Sequence, residues 1–504
     1  MATSFAFLVL FVLMKLIHNL WWKPKSIERR LRKQGIRGTS YRPFKGDTPE
    51  MKKLAKASSS KPISLNTQIA RRVIPFYHNM VKRYGKVSVC WFGSSPKLII
   101  ADAELIRLLL EDKKGELVHP PLNPLVNLQH LGFAALEGQE WSKRRRLITP
   151  AFHLDKLKGM VPAFSRSCCN LVEQWQTLVM ESQGKCEIDV APQLSTLACD
   201  AISRTAFGSS YQQGKQIFEL QKQQSFLVRE AYNSIYIPGF RFVPTRKNKR
   251  RYQIYNQIKA ILKNMIRQRE DAMQRGEVEG ELDLLGLLLQ CKEQSINDVT
   301  IDDVIEECKM FYIAGQETTA TLLTWTMICL SIYPDWQDKA RHEVLEICGT
   351  AKPDFGAINR FKIIPMILDE VLRLFPSLPF ISRYTTRETR VGNLLIPAGV
   401  ELCLLVMNVH YDADYWGEDA NEFKPERFCE GVSKASKDQM AFFPFGWGPR
   451  ICVAQKFALI EAKMALAMIL QRFSFQLSPS YTHAPCLRIT VKPQYGAPIN
   501  LRPI

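Results

Sequence analysis

The chain has 504 residues, 46% hydrophobic, 10% aromatic and 23% charged, a composition that supports a large packed core and excludes a disordered chain, a coiled coil and a multi-span membrane protein. Its 68 basic residues outnumber 49 acidic ones for a net charge of +19. Eight of the basic residues crowd into positions 15–37 against Glu28 alone, which makes anionic lipid or an acidic protein as good a partner as nucleic acid.

Residues 5–14 (FAFLVLFVLM) are wholly apolar, Lys15 interrupts, and LIHNLWW leads to the basic run Lys23, Lys25, Arg29, Arg30, Arg32, Lys33 and Arg37. As a helix to Trp22 the segment spans roughly 33 Å, about one hydrocarbon core. Lys15 can snorkel, and Trp21 and Trp22 suit the headgroup layer. No basic start or small-residue cleavage site marks a removable signal. The expectation is an anchor over 1–22 and a basic linker over 23–45, the alternative being an amphipathic helix lying in the interface. From 46 to 504 no Gly/Ser-rich linker or repeat divides the chain, so a single large catalytic domain follows.

Short strands are expected at 86–92 (KVSVCWF), 97–101 (KLIIA) and 391–405, the last broken by a turn at Pro397-Ala398-Gly399. Helical periodicity runs over 252–274, 300–333 and 452–473. The fold class is mainly α with a small β-sheet region. The 13 cysteines form no CxxC and no Cys/His cluster at zinc spacing, which argues for buried thiols in a reducing compartment, one of them with special work.

That cysteine is Cys452, closing the loop Phe445-Gly446-Trp447-Gly448-Pro449-Arg450-Ile451-Cys452 ahead of a helix. A helix amino terminus and its N–H groups favour a thiolate, as an axial metal ligand requires, and the glycines let the backbone wrap the sulfur. Upstream stand Glu370-Val371-Leu372-Arg373, with acid and base on one helical face, then Pro425-Glu426-Arg427-Phe428. Ala314-Gly315-Gln316-Glu317-Thr318-Thr319 lies in mid-helix, where glycine and threonine cost stability and ask for a reason. Trp141-Ser142-Lys143-Arg144-Arg145 is a further aromatic and basic cluster.

Together these resemble the cytochrome P-450 superfamily of haem-thiolate monooxygenases, whose loop reads FxxGxRxCxG. Phe445, Gly448, Arg450 and Cys452 match, while Ala454 replaces the last glycine and adds a methyl close to where the haem face would lie. The resemblance implies the P-450 fold and haem b with Cys452 as axial ligand. It implies that Glu370, Arg373 and Arg427 form a buried ion triad locking the loop, and that Trp141, Arg145, Arg383 and Arg450 bind the haem. Thr318 would hold dioxygen or its water, and Glu317 would relay protons. Thiolate ligation favours O–O cleavage. Substrate contacts would come from 117–132, 306–314, 377–382 and 480–487. Finer wording resembles the plant clan containing secologanin synthase and brassinosteroid-inactivating hydroxylases, which implies a terpenoid, steroid-like or hormone-type substrate.

The resemblance also implies NADPH-cytochrome P-450 reductase as partner, O2 as co-substrate, and an endoplasmic reticulum membrane with the catalytic domain cytosolic. Lys143 to Arg146 would dock the reductase; Arg241, Arg246, Lys247, Lys249, Arg250 and Arg251 would meet lipid. A reductase-independent haem-thiolate isomerase or lyase would lack the Glu317-Thr318 pair, and a non-catalytic membrane haem-binding protein would not need the oxygen motif. Nucleic acid finds no recognition module.

Overall fold

An unbroken helical rod opens the computed structural model, which describes residues 2–112, 115–129, 132–182, 186–209, 211–232, 234, 236–277, 283–294, 299–437 and 441–504. α1 (Ala2–Ile17) passes through a π-helical stretch (His18–Trp22) into α2 (Lys23–Lys33). The helix therefore does not stop at Trp22. Pro24 has no N–H for the carbonyl of Leu20, one turn back, and the Tyr41 hydroxyl supplies the missing bond at 2.6 Å. Local widening at the proline is what such a break in the ladder produces. The span Ser4–Lys33 is long and apolar enough to cross a membrane.

α2 is docked, not a loose linker. Ile27 and Leu31 are buried in a core shared with Val89, Leu98 and Phe443. Glu28, also buried, takes Lys25 and Arg32 at 2.9 Å each and the Tyr41 N–H at 3.3 Å. Gln34 exchanges two hydrogen bonds with the Leu395 backbone, both 2.8 Å.

The main sheet is built from β1 (Arg37–Gly38), β2 (Val87–Phe92), β3 (Ser95–Ile100), β4 (Leu117–Val118), β5 (Ile381–Thr385) and β6 (Glu401–Leu404). Its order is β1-β2-β3-β6-β5-β4, with β3 and β6 parallel and β2–β3 an antiparallel hairpin. Alternate residues face alternate cores, as the two-residue period of a strand demands: Val89, Trp91, Leu98 and Ile100 join the smaller core, Cys90 and Ile99 the larger. The stretch 391–405 divides into a hairpin (Thr389–Val391 with Leu394–Ile396) and β6.

The larger core is helical. α3 (Gly138–Ile148), α4 (Leu154–Glu181), α5 (Val190–Phe207), α6 (Ile301–Ile332), α7 (Ile363–Leu374) and α8 (Gln455–Leu470) are its principal members, flanked by Arg246–Gln274. α6 starts where expected because Thr300 and Asp303 form a reciprocal capping box. The carboxyl-terminal hairpin β7 (Pro485–Leu487) and β8 (Val491–Pro493) lies beside α6. Cys186–Asp189, Phe473–Leu477 and Pro498–Pro503 make a second small sheet.

Candidate active site

The Cys452 loop is closed by its own backbone: the Cys452 N–H donates to the Phe445 carbonyl at 2.9 Å and the Ile451 N–H to Gly448 at 3.1 Å. A Cβ on Gly448, at φ +70°, would run into the Leu110 carbonyl, so only glycine lets the loop press against the helix Ala103–Glu111. α8 begins three residues later than expected, at Gln455, so the thiol receives the Ala454 N–H instead of sitting in the first helical turn. Burial pushes the thiol pKa up, opposed by that N–H and by Arg145. The side chain nevertheless keeps accessible surface. A desolvated thiol that is not packed against protein faces an interior space.

Three guanidinium groups gather around this loop. Arg450 donates to the Leu136 carbonyl at 2.8 Å, pairs with Glu137, and lies 4.6 Å over the Trp141 ring. Arg145 stands one turn beyond Trp141, close enough for its charge to act on Cys452. Arg383 is buried and donates to the neighbouring Ser382 carbonyl at 2.9 Å. Burial and the Arg450 charge lower its pKa to about 10. Among the described residues no carboxylate lies within ion-pair distance of Arg145 or Arg383, and Glu137 alone serves Arg450. The cluster is short of negative charge, which is the setting for an anionic ligand.

Behind the loop, Glu370 and Arg373 are fully buried and joined twice, at 2.7 and 2.8 Å. Arg373 also donates to the carbonyls of His410, Ala420 and Glu422. Arg427 stands 3.6 Å from Glu370 and 2.8 Å from Asp419, so the three expected members do come together. What connects them to the loop is a residue that sequence reasoning missed. His410 donates from Nδ1 to the Arg373 carbonyl at 3.1 Å and accepts the Phe443 N–H on Nε2 at 3.0 Å. Burial and Arg373 lower its pKa to about 3, so it stays neutral in that tautomer.

α6 is buried from Glu307 to Ile313 and from Thr319 to Leu330, but Ala314 is exposed and 315–318 are half-buried. Gly315 has a packing reason: a Cβ there would come 2.9 Å from Ile202 of α5. Thr318 donates back to the Ala314 carbonyl at 2.7 Å. Glu317 turns to the hairpin, 2.6 Å from Lys492.

The sequence signature of the cytochrome P-450 family matches residues 63–496. The chain belongs to the cytochrome P-450 family. It is 49% identical to cytochrome P-450 CYP72A616 of Paris polyphylla over 96% of this chain and 94% of that protein. It is 47% identical to cytochrome P-450 CYP72A219 of Panax ginseng, over 99% and 98%. With the 11-oxo-beta-amyrin 30-oxidase of Glycyrrhiza uralensis the identity is 45% over 96% and 94%.

Cytochromes P-450 carry haem on a cysteine thiolate and take electrons from a reductase. The residues here fit haem: an accessible, desolvated thiol beside two guanidinium groups lacking carboxylates, against a ligand that brings two propionates. Three expectations need correction in this P-450. Arg144 is buried and paired with Asp303 at 3.1 Å and Glu307 at 3.3 Å, so it offers no docking charge. Arg251 is buried on Asn248 and the Leu227 carbonyl, so it does not meet lipid. In 306–314, Glu307 accepts the Phe133 N–H at 3.0 Å and burial raises its pKa to about 7; most of that stretch is core. Residues 130 and 131 of the 117–132 segment lie outside the described residues.

Proposed function

We propose that this P-450 is a membrane-anchored monooxygenase that hydroxylates or further oxidises an apolar terpenoid or steroid-like molecule. It uses O2 and electrons delivered from NADPH by cytochrome P-450 reductase at the endoplasmic reticulum membrane. The observation that carries the reading is the Cys452 loop, where an accessible thiol stands among under-neutralised guanidinium groups. In this reading Cys452 is the thiolate ligand, with Phe445 packing beside it. Trp141, Arg145, Arg383 and Arg450 hold the propionates. Bound haem supplies oxygen activation, with the thiolate favouring O–O cleavage.

The chain's own residues do the rest. Glu317 and Thr318 hold and pass protons, and Glu370, Arg373 and Arg427 fix the loop. Each turnover consumes one O2, one NADPH and one proton, and yields the alcohol, water and NADP+. The terpenoid class is supported by the relative named for oxidising 11-oxo-beta-amyrin. Lipid contact is supported by exposed Ile237, Phe240, Phe242 and Val243 beside Arg241, which lies 4.6 Å over the Phe242 ring. Residues 1–22 serve as the anchor and α2 as its docked continuation.

The test is the reduced carbon monoxide spectrum in microsomes with a titrated panel of terpenoid and steroid ligands. The expected result is a band at about 450 nm, its loss in Cys452→Ala, and a spin shift with one ligand class. Folded, haem-bound protein without that band refutes the ligand assignment.

A further inference from the structure

Glu317, Thr321 and Trp325 recur every four residues and therefore line one face of α6. Each meets the carboxyl-terminal hairpin. The Glu317 carboxylate lies 2.6 Å from Lys492 Nζ and accepts the Thr490 hydroxyl at 3.3 Å. Thr321 and Thr490 share a hydrogen bond of 2.9 Å, and the Trp325 indole N–H donates to the Val491 carbonyl at 2.7 Å. On its other edge the Val491 N–H donates to Ser377 at 3.1 Å. The strand carrying Lys492 is thus pinned between the helix of the oxygen motif and the start of the 377–382 segment.

We propose that Lys492 is the positioning residue of Glu317, and that the hairpin holds the acid in a resting orientation turned away from Thr318. The inference rests on the reading of Glu317 as the proton relay. A surface ion pair is worth little because both side chains are free to wander. Here the side chains are 26% and 17% exposed, and the hairpin backbone is fixed on both sides, so the geometry costs little further order. Cys199 and Glu461 also face this corner, with Asp200 beside Cys199, and burial raises the pKa of Cys199 and Glu461. That leaves Lys492 as the one cation within ion-pair distance of Glu317 among the described residues. Glu317 is held by Lys492 and Thr490, and Thr318 by the Ala314 carbonyl, so a hand-over between them requires Glu317 to leave Lys492. When Glu317 takes a proton from solvent its attraction to Lys492 is lost and the neutral carboxyl is released to turn. Once it passes the proton on, the carboxylate returns to Lys492, unchanged over the cycle.

The experiment uses the full-length holoprotein with reductase and a β-amyrin-type triterpenoid that gives a spin shift. Lys492→Met and Lys492→Gln are expected to keep the band at about 450 nm while product per NADPH falls about tenfold, as loss of an orienting partner typically costs. Hydrogen peroxide should rise to match, the solvent isotope effect should increase, and Lys492→Arg should restore coupling. Thermal midpoints of Glu317→Gln, Lys492→Met and the double variant should be non-additive. Native coupling and isotope effect in Lys492→Gln, or additive midpoints, overturn the inference. A native chain lacking the band fails the proposed function itself and takes this inference with it, a result read before any variant is compared.

Discussion

His410 accepts the Phe443 N–H at 3.0 Å while donating to the Arg373 carbonyl at 3.1 Å, so one neutral imidazole ties the buried ion pair to the loop that ends in Cys452. Replacing it leaves a buried N–H and a buried carbonyl without partners, at a cost of about 1–3 kcal/mol for each. His410→Ala should therefore lower the thermal midpoint and the fraction of chain giving the thiolate spectrum together. A variant with native haem content would show that the loop is held by other contacts.

The same residue sets a pH dependence. Burial and Arg373 depress its folded-state pKa to about 3, below the ordinary 6.5, so between these values the unfolded chain binds the extra proton and acid favours unfolding. The cost is about 1.4 kcal/mol per pH unit for each such group, absent above pH 6.5 and complete below pH 3. His483, lowered by burial and Arg72 to about 4, adds a parallel contribution. Denaturant midpoints between pH 6.5 and 5 should fall less steeply in His410→Gln than in the native chain; equal slopes contradict the neutral imidazole.

Glu370 and Arg373 bury both charges completely. Removing one partner strands the other, a loss of about 3–5 kcal/mol. Glu370→Gln should yield little haem-bound protein. Arg373→Lys should not rescue it, because an ammonium cannot reproduce the two-pronged contact or reach three carbonyls. Expression yield and the carbon monoxide spectrum are sufficient readouts.

Gly315 carries a separate prediction. The methyl added by Gly315→Ala would enter the side chain of Ile202 at 2.9 Å, and overpacking of this kind costs about 1–3 kcal/mol. The double variant with Ile202→Val should recover part of the loss by thermal unfolding. Full native stability in the single variant would place the reason for this glycine elsewhere.

These contacts also show where the sequence was legible. The apolar amino terminus, the glycine-rich cysteine loop and the Glu370/Arg373 spacing are local patterns, and each is recognisable without knowing the fold. Lys492 lies 175 positions from Glu317, and His410 is a single histidine in an apolar run. Neither has any spacing to announce it, because their partners are brought to them by the hairpin and by the loop after α7. The start of α8 was misplaced because the apolar period continues back through Cys452 while the backbone there is committed to the loop bonds.

Lys143 and Arg144 separate two meanings of one basic run. Lys143 is 43% exposed and 3.9 Å from Glu140, whereas Arg144 is enclosed between Asp303 and Glu307. Lys143→Glu should leave the thermal midpoint unchanged and slow reductase-dependent reduction of the haem most strongly at low salt, where surface charge steers encounter. Arg144→Glu would place a third carboxylate beside two, one of them buried, and should unfold the α3–α6 contact before any electron-transfer assay is meaningful. A destabilised Lys143→Glu, or an Arg144→Glu of native stability with an altered salt dependence, would reverse the two roles.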